Sequence, residues 1–254
     1  MKKLSGFSVI SLIIGIAVVA LIGVGAFLVI DGNNNAIDFN NYDFYSVISP
    51  SKDNGDIGDH VKGSVEDAVI LVFEYADYQC PGCASINPRV NKAVEESNGK
   101  LAVVYRSFLL SYHQNGTAAA SAAEAAGLQG YWKPYADKLF AEQSEWEYAS
   151  VSERKALFDK YFGEVTDGKG DLEKFDQDIA SEAVSKKISF DMGVGRRINV
   201  ESTPAFYVDG QVINWSEAGS VNINGKTIAW ESAMGGDDFT KLLLKIVDAV
   251  EAKE

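Results

Sequence analysis

Ala68-Val69-Ile70-Leu71-Val72-Phe73-Glu74-Tyr75-Ala76-Asp77-Tyr78-Gln79-Cys80-Pro81-Gly82-Cys83 is the stretch on which the fold turns. Its first half is a nearly continuous apolar run, the pattern of a strand covered on both faces, and it leads directly into a Cys-x-x-Cys pair. Beyond Cys83, the apolar residues Ile86, Val90, Ala93 and Val94 recur at helical spacing, and Asn98-Gly99 supplies a stop. Pro88 falls inside this helix and is expected to kink it, because proline lacks a backbone donor and crowds the preceding turn. Residues 101–110 (LAVVYRSFLL) read as a second buried strand. Strand, helix and strand make a β-α-β unit with the cysteine pair at its first junction, the setting of a redox motif.

Cys80 and Cys83 are the only two cysteines in 254 residues. Structural zinc normally takes four Cys or His ligands, and the two histidines, His60 and His113, stand outside any finger-like spacing, so no metal is expected. As a staple the pair is poor, since closing so short a loop contributes only about 2 kcal/mol by loop entropy. A redox dithiol is the reading that remains. At the start of a helix the Cys80 sulfur faces unpaired backbone donors and the positive end of the helix dipole, which favours thiolate. Cys83, one turn inward, is expected to be the less accessible sulfur and to resolve the mixed disulfide formed at Cys80. Glu74 would be costly to bury bare in an apolar strand. It reads either as a proton acceptor or donor near Cys83 or as an edge carboxylate in water.

Helical character then dominates from Asn115 to about Gly193. Residues 118–126 hold seven alanines, and further helices are expected around 131–143, 152–162 and 171–191. Such a block between strands reads as an inserted helical subdomain over about 115–193. Its Tyr131, Trp132, Tyr135 and Trp146 form either a groove for unfolded chains or, more commonly, core. No glycine fingerprint for a nucleotide occurs, so no cofactor is expected. Strand signals return at residues 205–208 and 211–214 around the turn dipeptide Asp209-Gly210, and a second pair flanks Asn224-Gly225. Phe239, Leu242, Leu243, Ile246, Val247 and Val250 mark a closing amphipathic helix.

At the other end, residues 7–30 run for 24 positions without a charge, enough helix to cross a bilayer core of about 30 Å. Lys2 and Lys3 precede the run and Asp31 follows it, which keeps the N-terminus cytoplasmic and the remainder outside. Gly23 and Gly25 offer the small residues of a signal-peptidase site. The run nevertheless exceeds the usual h-region of about 7 to 15 residues, so an uncleaved anchor over residues 1–30 is expected. Residues 31–60, rich in Asn, Asp and Gly, read as a tether to a domain spanning 61–254, with Phe39, Tyr42, Phe44 and Tyr45 available to dock on it. The net charge of −13 becomes −15 for the exported part once Lys2 and Lys3 are subtracted. That acidity argues against nucleic acid as a partner and selects no particular substrate.

Residues 63–83, ending in Phe73-Glu74-Tyr75-Ala76-Asp77-Tyr78-Gln79-Cys80-Pro81-Gly82-Cys83, resemble the DsbA-like thiol-disulfide oxidoreductases of the thioredoxin fold. So do Tyr105-Arg106-Ser107-Phe108 followed by His113 and the Ala-rich helix, and Glu201-Ser202-Thr203-Pro204-Ala205-Phe206-Tyr207-Val208-Asp209-Gly210. The match spans most of residues 60–215. It implies an α/β, thioredoxin-like fold with an inserted helical subdomain, here preceded by one N-terminal transmembrane helix. It further implies Cys80 and Cys83 as the redox pair, Glu74 as their acid or base, and a cis-Pro204 beside them, with Thr203 offering backbone hydrogen bonds to a bound peptide. Pro81-Gly82 departs from the Pro-His of the best-known oxidases, and the second hairpin after Trp215 has no counterpart in the resemblance. His113 reads as a group titrating near the site or, more commonly, as a helix-capping or surface histidine. The activity expected is donation of disulfides to reduced exported proteins by a single-pass membrane protein, a monomer whose domain lies on the extracytoplasmic side. Recharging by an integral-membrane, quinone-linked partner of the DsbB or VKOR type is implied. A reductase or isomerase of the same fold stays open, as does a non-catalytic holdase. Isomerases commonly carry a separate dimerisation domain, for which the tether has no room.

Overall fold

The apolar run before the cysteines forms the central strand β2 (Ile70–Ala76), parallel to β3 (Leu101–Ser107) and antiparallel to β4 (Ala205–Val208). Helix α1 (Pro81–Glu96) connects β2 to β3 and passes unbroken through Pro88. Strand β1 (His60–Lys62) joins β3, and β5 (Gln211–Val212) joins β4, so the sheet order is β1-β3-β2-β4-β5. Strand β3 stops at Ser107 and not at Leu110, because the backbone there leaves the ladder for side-chain acceptors. Ser107 N–H donates to Asp191 Oδ2 at 3.1 Å and Leu110 N–H to Asp77 Oδ2 at 2.9 Å. The computed structural model describes residues 37–252. The expected anchor and the first part of the expected tether lie outside them; among the described residues no helix is long and apolar enough to cross a membrane.

Register decides which side chains share a face. Glu74 lies opposite Tyr105, Val72 opposite Val103, and Lys62 opposite Val103 from the other side. Because successive residues alternate, Lys62, Val72, Glu74, Val103 and Tyr105 point to one face, while Phe73, Tyr75, Val104 and Arg106 point to the other. The first face is covered by α1 and the C-terminal helix α8 (Asp238–Glu251), with Val72, Val90, Val103, Phe206, Leu243 and Ile246 in one core. Glu74 and Lys62 are thereby carried into the interior beneath the start of α1.

Between β3 and β4 the chain forms α2 (Gly116–Gly127), α3 (Trp132–Ala141), α4 (Gln143–Trp146), α5 (Val151–Val165), α6 (Leu172–Ile179) and α7 (Glu182–Arg197). The single helix expected over 171–191 is two, because the Ser181 hydroxyl accepts from Val184 N–H and starts α7 afresh. Alanines of α2, among them Ala119, Ala122, Ala123 and Ala126, are fully buried, so neighbouring helices approach closely. Trp132, Tyr135 and Trp146 are buried too and belong to the core of the insertion, while Tyr131 is partly buried and packs against it. Helix α7 crosses the second face of the sheet at Gly195, where a Cβ would meet the Phe108 ring at 2.5 Å.

The stretch expected to be a tether is, from Asp38 onward, part of the same compact unit as the sheet. Its aromatic residues make the difference. Phe39 stacks on Phe190 with centroids 5.3 Å apart, and the Arg197 guanidinium lies 3.9 Å over the Phe39 ring. Fully buried Arg106 donates to the carbonyls of Phe44 at 2.6 Å and Ser46 at 2.8 Å, and pairs with Asp59 at 2.7 Å. Composition signalled coil, and coil it is apart from two 3-10 turns, but the Phe44 and Ser46 carbonyls are held by Arg106. Both turn dipeptides form hairpins: Asp209 and Gly210, then Asn224 and Gly225, all have the positive φ that such turns require. The second hairpin, β6 (Gly219–Ile223) with β7 (Lys226–Trp230), turns Val221, Ile223 and Ile228 into the core beneath α8.

Candidate active site

Cys80 immediately precedes α1 with extended backbone angles, and Pro81 takes the first helical position, where a missing N–H costs nothing. Both cysteines are free thiols. Cys80 retains 7% of its surface and Cys83 none, so the outer sulfur is Cys80, as the helix register implies. Opposite them the Thr203–Pro204 peptide is cis, the isomer that the resemblance implies. The Cys80 thiol donates to the Thr203 carbonyl at 3.3 Å, while the Thr203 hydroxyl is buried with no hydrogen-bond partner among the described residues. A Cβ on Gly82 would lie 3.1 Å from Pro204 Cδ and 3.6 Å from Cys80 Sγ. Glycine at this position therefore lets the proline loop close on the dithiol, a role that the departure from Pro-His concealed.

Electrostatically the two sulfurs are driven apart. A hydrogen bond from the Cys83 thiol is the largest influence on Cys80. The backbone N–H groups of Cys83 and Gly82 assist, and against the opposing effect of burial they hold its pKa down to about 5. Cys83 is pushed well above the ordinary range by its own burial first, then by the Cys80 sulfur and the charge of Glu74. Glu74 is fully buried and ion-paired to equally buried Lys62 at 3.0 Å, so it is no edge carboxylate in water. A bare buried carboxylate would be prohibitive; pairing and hydrogen bonding make it tolerable.

Several residues that position the site carried no sequence signal of that role. Asp77, wholly buried, accepts from Gln79 N–H and Leu110 N–H, each at 2.9 Å, and its Oδ2 lies 2.8 Å from His113 Nδ1. His113 is thus neither a free surface group nor a helix cap; it buttresses the loop that presents Cys80. Gln79 spans to the insertion, donating to Glu147 O at 2.6 Å and accepting from Asn115 N–H at 2.6 Å. Gln143, on α4, donates to the carbonyls of Tyr78 at 2.6 Å and Cys80 at 3.1 Å. Polar residues of this kind are common in loops, and only the three-dimensional arrangement singles them out.

A sequence profile of the family described as Thioredoxin matches residues 56–222, more than half of the chain. Among curated proteins, a Na(+)/H(+) antiporter NhaA 1 of Salinispora arenicola is 32% identical over 183 residues, covering 70% of this chain and 25% of its own. The corresponding protein of Mycolicibacterium gilvum is 31% identical over 156 residues, 60% of this chain and 24% of its own. The chain thus spans about a quarter of the length of the curated relatives it matches. Among solved structures, oxidised BdbD from Bacillus subtilis shares the fold with a TM-score of 0.56 at 19% identity, over 81% of this chain and 97% of that one. Wolbachia pipientis alpha-DsbA1 gives 0.54 at 20% identity over 76% and 92%, and the catalytic domain of Proteus mirabilis ScsC gives 0.54 at 14% over 75% and 89%. With a β-α-β unit, helical insertion and cis-proline loop around a Cys-x-x-Cys pair, the chain belongs to the thioredoxin family.

Proposed function

We propose that this protein is an extracytoplasmic thiol–disulfide oxidoreductase that donates the Cys80–Cys83 disulfide to reduced exported proteins. The observation that carries the reading is the asymmetry of the dithiol, with the outer Cys80 held down to about 5 and the buried Cys83 held well above its ordinary range. In the oxidised protein a substrate thiolate attacks Cys80, and Cys83 departs as the leaving sulfur. The second substrate thiol then attacks the first, and Cys80 departs as a thiolate that is already stable at neutral pH. Stabilising the reduced form makes the disulfide the more oxidising, which favours an oxidase over a reductase. Recharging returns two electrons per cycle to an acceptor. An integral-membrane, quinone-linked oxidase of the DsbB or VKOR type fits a domain anchored by residues 1–30. With residues 38–59 packed on the domain, the reach from such an anchor is shorter than a free tether of 30 residues would give.

The test is stoichiometric. The oxidised protein is mixed with a reduced, unfolded polypeptide carrying two cysteines, and thiols are trapped over time. Formation of the polypeptide disulfide with matching loss of the Cys80–Cys83 disulfide is expected. Binding without any transfer of the disulfide favours the holdase, and rapid reduction of insulin disulfides by the dithiol, with no oxidation of the polypeptide, favours the reductase.

A further inference from the structure

A buried polar chain leads from Glu74 through α1 to the surface of the helical insertion. Lys62 donates to Glu74 Oε2 at 3.0 Å and to Asn87 Oδ1 at 2.8 Å. Asn87 Nδ2 donates to Asp137 Oδ1 at 2.9 Å, and Asn91 Nδ2 donates to the same oxygen at 2.8 Å. At the outer end, half-exposed Lys133 pairs with Asp137 Oδ2 at 2.8 Å.

The direction of every bond in this chain is dictated. Lys62 can only donate and an ionised Asp137 can only accept, so Asn87 between them must turn its carbonyl inward and its amide outward. Burial pushes the Asp137 carboxyl up, but Lys133, Asn87 and Asn91 outweigh it and hold the group below the usual carboxylate range. Asp137 therefore fixes Asn87, Asn87 fixes Lys62, and Lys62 occupies one oxygen of Glu74. The other oxygen, Oε1, is buried with no hydrogen-bond partner among the described residues. Leaving a buried carboxylate oxygen unpaired is costly, and a proton exchanged with Cys83 would give this one a partner.

We infer that Asp137, on α3 of the insertion, is a positioning residue for the dithiol: through Asn87 it holds Lys62 on Glu74 Oε2 and keeps Oε1 free to exchange a proton with Cys83. The inference rests on the thiol–disulfide reading above. When Cys83 resolves a mixed disulfide at Cys80, its proton passes to Glu74 Oε1 and its sulfur bonds to the Cys80 sulfur. The bond from Cys80 to the partner sulfur breaks, and the partner leaves as a thiolate. In the opposite direction Cys83 leaves the disulfide and recovers that proton from Glu74. The other titratable groups around this exchange are accounted for. Tyr105 of β3 and Tyr78 of the active-site loop are held protonated by burial, well above the ordinary tyrosine range. Asp77 has both carboxylate oxygens engaged by Gln79, Leu110 and His113. Cys80 is the reaction partner itself, and Lys62 supplies the only cation bonded to Glu74 among the described residues.

The experiment mixes the reduced full-length protein with excess oxidised glutathione. It follows release of glutathione from the transient Cys80 mixed disulfide as a function of pH, a rate that reports ionisation of Cys83. In Asp137→Ala, Lys62 is no longer held against Glu74, the less neutralised carboxylate raises Cys83 further, and the midpoint is expected to move up by about one unit, a roughly tenfold slower release at neutral pH. Cys80 thiolate titration, read by ultraviolet absorbance, should not move. Asp137→Asn keeps an acceptor for Asn87 and should restore the original profile. Asn87→Ala cuts the same chain one bond further in and should reproduce the shift, so the inference does not depend on one variant folding. A folded Asp137→Ala or Asn87→Ala protein with an unchanged profile overturns the inference, as does a shift of the Cys80 titration equal to that of the release rate. If the unaltered protein forms the mixed disulfide but never releases glutathione, it is the oxidoreductase reading that fails.

Discussion

Changing pH between 5 and 8 should alter the stability of the reduced protein relative to the oxidised one, because only the reduced form carries an ionisable Cys80. In the folded reduced state its pKa is about 5, against about 8.5 for an unfolded cysteine. Between those values the unfolded chain binds a proton that the folded chain does not, so stability rises with pH by up to about 1.4 kcal/mol per unit. The contribution is fully present above about pH 8.5 and is lost as pH falls through about 5. From pH 5 to pH 8 it amounts to about 3 to 4 kcal/mol. Cys83 adds nothing in this window, since it is pushed well above its ordinary range. Closing the short Cys80–Cys83 loop stabilises the oxidised form by about 2 kcal/mol whatever the pH, so the two stabilities should cross at about pH 6 to 7. Denaturant unfolding of both forms across the pH series measures the difference, and carboxylate and histidine titrations common to both cancel. Parallel curves with a constant gap would refute the thiolate argument.

Four further outcomes are expected. Cys83→Ala should accumulate mixed disulfides with substrate polypeptides on gels run without reductant, and Cys80→Ala should not; the opposite trapping pattern would reverse the two roles. The same Cys83→Ala change removes the thiol that donates to the Cys80 sulfur, a charge-assisted bond of about 1.5–3 kcal/mol, so the Cys80 titration should rise by about one to two units. Arg106→Leu leaves buried Asp59 with Lys187 at 3.4 Å as its one paired cation among the described residues, beside the Ile48 N–H at 2.8 Å, and should cost about 3 kcal/mol or more in denaturant unfolding while opening residues 38–59 to limited proteolysis; a loss well under about 1 kcal/mol would show that Arg106 does not hold the segment. Cells lacking a membrane oxidase of the proposed kind should accumulate the reduced dithiol under thiol trapping, whereas a dithiol that stays oxidised there would point to direct recharging by small-molecule oxidants.

Sequence alone determined what is local. The apolar run of β2 and the helical spacing after Cys83 placed the two sulfurs at a strand-to-helix junction, and the backbone donors of that junction follow from helix geometry wherever it occurs. Turn dipeptides with positive φ likewise announced both hairpins, because Asn, Asp and Gly tolerate that conformation. Tertiary structure decided what depends on residues distant in the chain. Whether Glu74 is solvated or buried turned on Lys62 arriving from β1 in a register that puts both on one face. Whether residues 38–59 swing free or pack turned on Arg106 reaching their carbonyls across some sixty residues of sequence. Trp132, Tyr135 and Trp146 face the insertion's own core because six helices fold around them, a fact no helical period states. Ionisation at the site has the same origin. The Cys80 sulfur is held down first by the thiol of the second cysteine, and Cys83 is pushed up by burial and by the charge of Glu74 from β2, since hydrogen bonds and Coulomb fields act across space and the sequence records only order along the chain.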